Sequence, residues 1–69
     1  MPRTRAEAYT LLGVNPDVSE AVLKKLSDAL RMSWHPDLAR DDRDRAMRED
    51  RIKQINIAVE LIRSEKQAA

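Results

Sequence analysis

Few residues in this chain could do chemistry. There is a single histidine, His35, and no cysteine, so thiol catalysis, a disulfide framework and a thiolate metal site are all excluded. A lone histidine in a chain of 69 residues, with no obvious acid pair beside it, does not make a catalytic set or a pocket, and no enzyme activity is expected. The tripeptide His35-Pro36-Asp37 is better suited to recognition. Pro36 fixes one backbone torsion and lowers the entropy lost when its neighbours are presented to a partner. Asp37 is acceptor-only, so a partner arginine could grip it with charge-assisted bonds. His35 offers a donor and an acceptor nitrogen, and at a helix C-terminus partial positive charge on it is favoured.

The elements that must hold this tripeptide are helical. Charged residues make up 36% of the chain, aromatics 3%, and Gly13 is the one glycine, a composition poor in what strands and their turns need. The first helix is expected from about Arg5 to Leu12, with Ala8, Tyr9, Leu11 and Leu12 as its apolar side and Gly13 stopping it in the left-handed region. Val14-Asn15-Pro16-Asp17 reads as a turn. The second helix begins near Ser19, capped by that residue or by Asp17 with Glu20. Leu23, Leu26 and Leu30, with Val22 and Ala29 beside them, form its apolar stripe. Lys24, Lys25, Asp28 and Arg31 fall mostly away from it. Pro36 forces an end around Ser33 or Trp34, because the residue before a proline leaves the helical region.

Residues 35–42 are expected to form a loop, and the third helix to run from Asp42 or Arg43 to about Arg63. Its core side is Ile52, Ile55, Ala58, Val59 and Ile62. Asp41–Arg45, Asp44–Arg48 and Glu49–Lys53 are acid-before-base pairs one turn apart, each contributing a few tenths of a kcal/mol. The stretch through Arg51 is almost all charge, and Arg40, Arg43, Arg45, Arg48 and Arg51 are expected to form a solvated, frayed face. Residues 64–69 are expected to be a loosely helical or disordered tail. The whole is one all-α domain, residues 1–69 with an ordered part of about 5–63: a short first helix packed on an antiparallel helical hairpin whose loop carries His35-Pro36-Asp37.

A formal charge of +1 gives no strong reason to expect a nucleic acid or a lipid surface as partner. Arginines on the third helix could meet phosphates, but acids interleave with them and no helix-turn-helix spacing is evident. No apolar run approaches the ~18 residues of a membrane span, and the basic start has no apolar region after it.

Four segments carry a resemblance to a known family. Tyr9-Thr10-Leu11-Leu12-Gly13-Val14 matches an opening Y-x-x-L-G-V. Asp17-Val18-Ser19-Glu20 followed by Leu23-Lys24-Lys25 matches the start of a second helix. Trp34-His35-Pro36-Asp37 matches an aromatic residue followed by HPD, and Lys53-Gln54-Ile55-Asn56-Ile57-Ala58 matches K-x-I-N-x-A. With all four at consistent spacing, about residues 6 to 69 resemble the J domains of DnaJ-type co-chaperones.

The resemblance implies a monomeric module, without cofactor or metal, that docks on the ATPase domain and linker of a DnaK-type heat-shock chaperone and promotes ATP hydrolysis. It implies chaperone-binding roles for His35, Pro36 and Asp37, with Lys24, Lys25 and Arg31 as the basic residues of the second helix. A module that docks without stimulating is the alternative. The family's second helix commonly carries a surface tyrosine and further bases where this chain has Ser27, Asp28 and Ala29. Restoring them is expected to raise stimulation. Leu38 and Ala39 stand where a base and an asparagine are usual. The ending Glu60-Leu61-Ile62-Arg63 resembles J domains at the C-terminus of larger proteins, some membrane-anchored. A cytoplasmic location is expected, with no nucleic-acid or membrane contact by this segment, and no client binding, since glycine/phenylalanine-rich and zinc-binding regions are absent.

Overall fold

Local signals set the helix boundaries, and the computed structural model follows most of them. It describes residues 2–68, with side chains through Ser64. Three α-helices and one short 3-10 turn follow one another, and no strand occurs among the described residues. The first, α1, spans Arg5–Leu12. Thr4 Oγ1 accepts from the Glu7 amide at 3.2 Å, satisfying a donor the helix start would leave free, and the Glu7 carboxylate accepts from the Arg3 amide at 2.8 Å, which fixes the residue before the cap. Gly13 ends it at φ 70°, a conformation that costs any residue with a Cβ about 1–2 kcal/mol.

The second helix, α2, spans Glu20–Ser33 and is capped by Ser19, whose hydroxyl accepts from the Val22 amide at 3.2 Å. The third, α3, spans Asp42–Ala68. It starts on a reciprocal cap: Asp41 Oδ1 accepts from the Asp44 amide at 2.8 Å, and Asp44 Oδ2 accepts from the Arg40 amide at 3.0 Å. Its backbone stays helical past Arg63, where the apolar repeat stops. Glu, Lys, Gln and Ala are good helix formers, so propagation there needs no packing. Ala69, the end of the expected tail, lies outside the described residues.

Both α1 and α2 pack on α3, which is the shared partner. The core gathers Ala8 and Leu12 from α1, Val18 from the turn, Leu23 from α2, and Ile55, Ala58, Val59 and Ile62 from α3. Tyr9, Leu11, Val14, Leu26, Leu30, Trp34 and Leu61 pack against its edge. Burying a branched aliphatic or leucine side chain contributes about 1.5–3 kcal/mol, so these few residues carry most of the folding energy of so small a chain. Polar ties outside the core also join α2 to α3: Arg31 Nε donates to Asn56 Oδ1 at 2.8 Å, and Arg63 Nε lies 2.9 Å from Glu20 Oε1.

Position 27 corrects the expected stripe of α2. Val22 and Ala29 are exposed, whereas Ser27 is 1% exposed. Ser27 stands one turn after Leu23 on the face that meets the core, and its hydroxyl donates to the Lys24 carbonyl at 3.0 Å. That bond satisfies the polar group within its own helix, which is why a serine can lie in the core. A tyrosine at 27 would not stand on the surface, so the expected gain from restoring one there does not follow from this packing.

Candidate functional site

Pro36 dictates the shape of the loop. His35, held before it, takes φ −58° and ψ 133°, outside the helical region. Within the loop expected for 35–42, residues Pro36–Leu38 make a 3-10 turn. The Leu38 amide donates to the His35 carbonyl and the Ala39 amide to the Pro36 carbonyl, both at 3.0 Å. The Asp37 amide donates to His35 Nδ1 at 3.1 Å. A ring nitrogen that accepts carries no proton, so the neutral imidazole is assigned its hydrogen on Nε2. His35 Nδ1 also lies 3.5 Å from Asp37 Oδ2, close enough to pair if the ring becomes protonated.

The tripeptide is ordered by its own backbone and still presented to solvent. The Asp37 side chain is 84% exposed and that of His35 56%. Met32 and Leu38, both exposed, join His35 and Asp37 around an open depression of about 380 Å³. Such a surface offers one carboxylate, one imidazole and two apolar side chains at one end of the molecule.

The basic residues of α2 divide. Lys24 and Lys25 are exposed. Arg31 is half-buried and occupied: besides its bond to Asn56, its Nη1 lies 3.0 Å from Asp28 Oδ1. It ties α2 to α3 at one edge of the hairpin. Asp28, in turn, has a local partner for its charge.

The start of α3 departs from the expected solvated, frayed face. Arg40, Arg43 and Arg45 are exposed, but Arg48 and Arg51 are not. Their guanidinium carbons lie 6.0 and 5.6 Å from the centre of the Trp34 ring. Arg48 Nε donates to Asp44 Oδ2 at 3.2 Å and its Nη1 donates to the Ser33 carbonyl at 3.0 Å. The cause is geometric: the turn after Pro36 brings the end of α2 against the first turns of α3. The unpaired carbonyls and the indole face there attract cations. The Asp44 carboxyl is held below its ordinary range, chiefly by the Arg40 amide and then by Arg48. Of these groups, spacing alone pointed to the Asp44–Arg48 pair. The bond from Arg48 to Ser33 spans 15 residues and has no local signature.

No helix among the described residues is long and apolar enough to cross a membrane, and no cluster of potential metal ligands occurs among them. Fold and loop together define a class: a three-helix module that presents an ordered, proline-set loop between two antiparallel helices. The family model of the DnaJ domain matches residues 7–69, nearly the whole chain, and the chain belongs to that family. It is 39% identical over 54 residues to a chaperone protein DnaJ of Thermoplasma volcanium, a match covering 78% of this chain and 14% of that protein. It is 34% identical over 59 residues to a chaperone protein DnaJ of Halothermothrix orenii, covering 86% of this chain and 15% of that one. The matched region is thus about one seventh of the length of these relatives. No solved structure matches the chain.

Proposed function

We propose that this domain binds a DnaK-type heat-shock chaperone, on its ATPase domain and linker, and accelerates ATP hydrolysis there through His35, Pro36 and Asp37. The observation that carries the proposal is the pre-ordered loop. Three amide bonds hold the turn while the Asp37 carboxylate stays in water, available to an arginine of the partner. Little order is left to impose at docking, so more of the contact energy appears as binding. The domain performs no bond chemistry of its own in this reading. It biases the partner toward the state that hydrolyses ATP by binding that state more tightly. Lys24 and Lys25 extend the surface along α2 toward acidic partner groups, and Arg31 adds charge at its edge. The acting unit is a monomer, and residues 1–69 act as one module.

The exposed part of α2 favours a second reading, a module that docks without stimulating. Asp28 and Ala29 are exposed without adding positive charge, and Arg31 is already paired. The two readings separate in a single-turnover ATPase measurement on a DnaK-type chaperone, with the parent domain and with its His35→Gln variant, both checked for helical content. Stimulation by the parent that the variant lacks supports the loop mechanism. No stimulation by either, with binding of the parent still detected, supports docking alone and sinks the first reading.

A further inference from the structure

The loop end of the hairpin is held differently from the core. Arg48 makes three contacts there, each to a different group. Nε meets Asp44 on its own helix, Nη1 meets the Ser33 carbonyl at the last residue of α2, and the guanidinium lies over the Trp34 ring. Asp44 passes the connection on, because its carboxylate also accepts from the Arg40 amide. Ser33 and Arg40 are the residues just before and just after the segment 34–39, which contains the whole tripeptide turn. The chain Ser33 carbonyl, Arg48, Asp44, Arg40 amide therefore brackets that segment at both ends. The Arg48 and Asp44 side chains are 18% and 17% exposed, so the bond between them is partly sheltered from water, while the links to the Ser33 carbonyl and the Arg40 amide lie at the surface. A cation against the carbonyls of a helix C-terminus is also favoured by the helix dipole.

We propose that Arg48 is a positioning residue for the His35-Pro36-Asp37 turn. It sets the distance between the two ends of the loop and so the direction in which His35 and Asp37 face a partner. Its effect on stimulation rests on the function proposed above, but its effect on the loop does not. A planar fork is needed, since two nitrogens must reach Asp44 and Ser33 at once while the guanidinium carbon stays 6.0 Å from the centre of the indole ring. A lysine in its place can satisfy one of these partners but not the set. Arg45, exposed on the same helix, serves as the control position.

The test compares the parent with Arg48→Met, Arg48→Lys and Arg45→Met. Amide hydrogen exchange is read at Asp37, Leu38 and Ala39 in the loop, and at Val59 and Ile62 in the core. Loss of a charge-assisted bond at the loop should speed exchange of the three loop amides about tenfold in both Arg48 variants. Val59 and Ile62 should be unchanged, and Arg45→Met should match the parent. With a DnaK-type chaperone, the concentration for half-maximal stimulation should rise about tenfold while the plateau stays, because ordering then has to occur on binding. Loop amides that exchange as in the parent would overturn the proposal. A uniform rise that includes Val59 and Ile62 would overturn it too, since it marks general support of the fold. A parent domain that stimulates nothing refutes the function proposed above, and the exchange data then still decide the role of Arg48.

Discussion

Replacing Ser27 by tyrosine tests the packing of α2 most directly. Position 27 is 1% exposed, and Leu23, Ile55 and Ile62 are closed off to the same degree. The one polar atom of the serine side chain is already paired with the Lys24 carbonyl. A tyrosine puts a phenol ring into this closed face and moves the hydroxyl away from the Lys24 carbonyl, so the hydroxyl needs a new partner. Overpacking a closed core costs roughly 1–3 kcal/mol, and a whole ring belongs at the upper end of that range. A domain of this size loses about 4–8 °C of Tm for each kcal/mol, so about 3 kcal/mol corresponds to a fall of about 12–24 °C. Ser27→Ala is the companion variant. It gives up one local hydrogen bond, about 1 kcal/mol, and leaves no donor unpaired, so its Tm should fall by no more than about 8 °C. Thermal melts followed by helical circular dichroism measure both. A Ser27→Tyr domain melting within about 4 °C of the parent would refute the argument, since a ring can be accommodated at that cost only if position 27 faces water.

Acid should act on the cap of α3. The Asp44 carboxyl titrates below its ordinary value of 3.8, so the stability it lends is complete above that value and lost as pH falls through the lower folded one. The Tm gap between parent and Asp44→Asn should therefore be widest near neutral pH and close as the solution is taken below about pH 4; a gap of constant size over that range would count against the assignment. Gly13→Ala should cost about 1–2 kcal/mol, because a Cβ there would meet no atom within 4 Å and the penalty is that of the φ +70° backbone alone. An alanine variant that melts with the parent would show that the turn relaxes to another conformation.

Much of the fold was legible because its boundaries are written locally. Thr4 was not singled out, but Ser19, Gly13 and Pro36 act within a turn of where they stand, and each does what its chemistry suggests. The leucine and isoleucine spacings likewise identify the core faces of α2 and α3, except that Ile52, expected on the core side of α3, is only half-buried and lies outside the core cluster. Three features were out of reach for one physical reason, which is that they depend on what arrives from elsewhere in the chain. Ser27 is polar and so reads as surface, yet the face it occupies is set by Leu23 before it and by the helix that covers both. Arg48 and Arg51 read as solvated charge, yet they find an indole and a carbonyl more than ten residues away. Asn56 belongs to a matched motif, but only the structure gives it a task, as the acceptor for Arg31. In the loop, the order of His35, Pro36 and Asp37 suggested recognition, while the 3-10 turn and the bond to His35 Nδ1 required coordinates.

The core residues of α3 begin at Ile55, whereas its contacts with the loop come from Asp44, Arg48 and Arg51. One helix thus serves two regimes along its length, an oily one that holds the chain folded and an ionic one that holds the loop. The cooperative melt of a small domain reports the first directly and the second only so far as it caps the helix, since local opening at the loop lies far below the free energy of global unfolding. A variant can therefore keep its helical content and most of its melting temperature and yet have lost the shape it shows to a partner, so a normal melting curve certifies the core end of α3 and says little of the loop end.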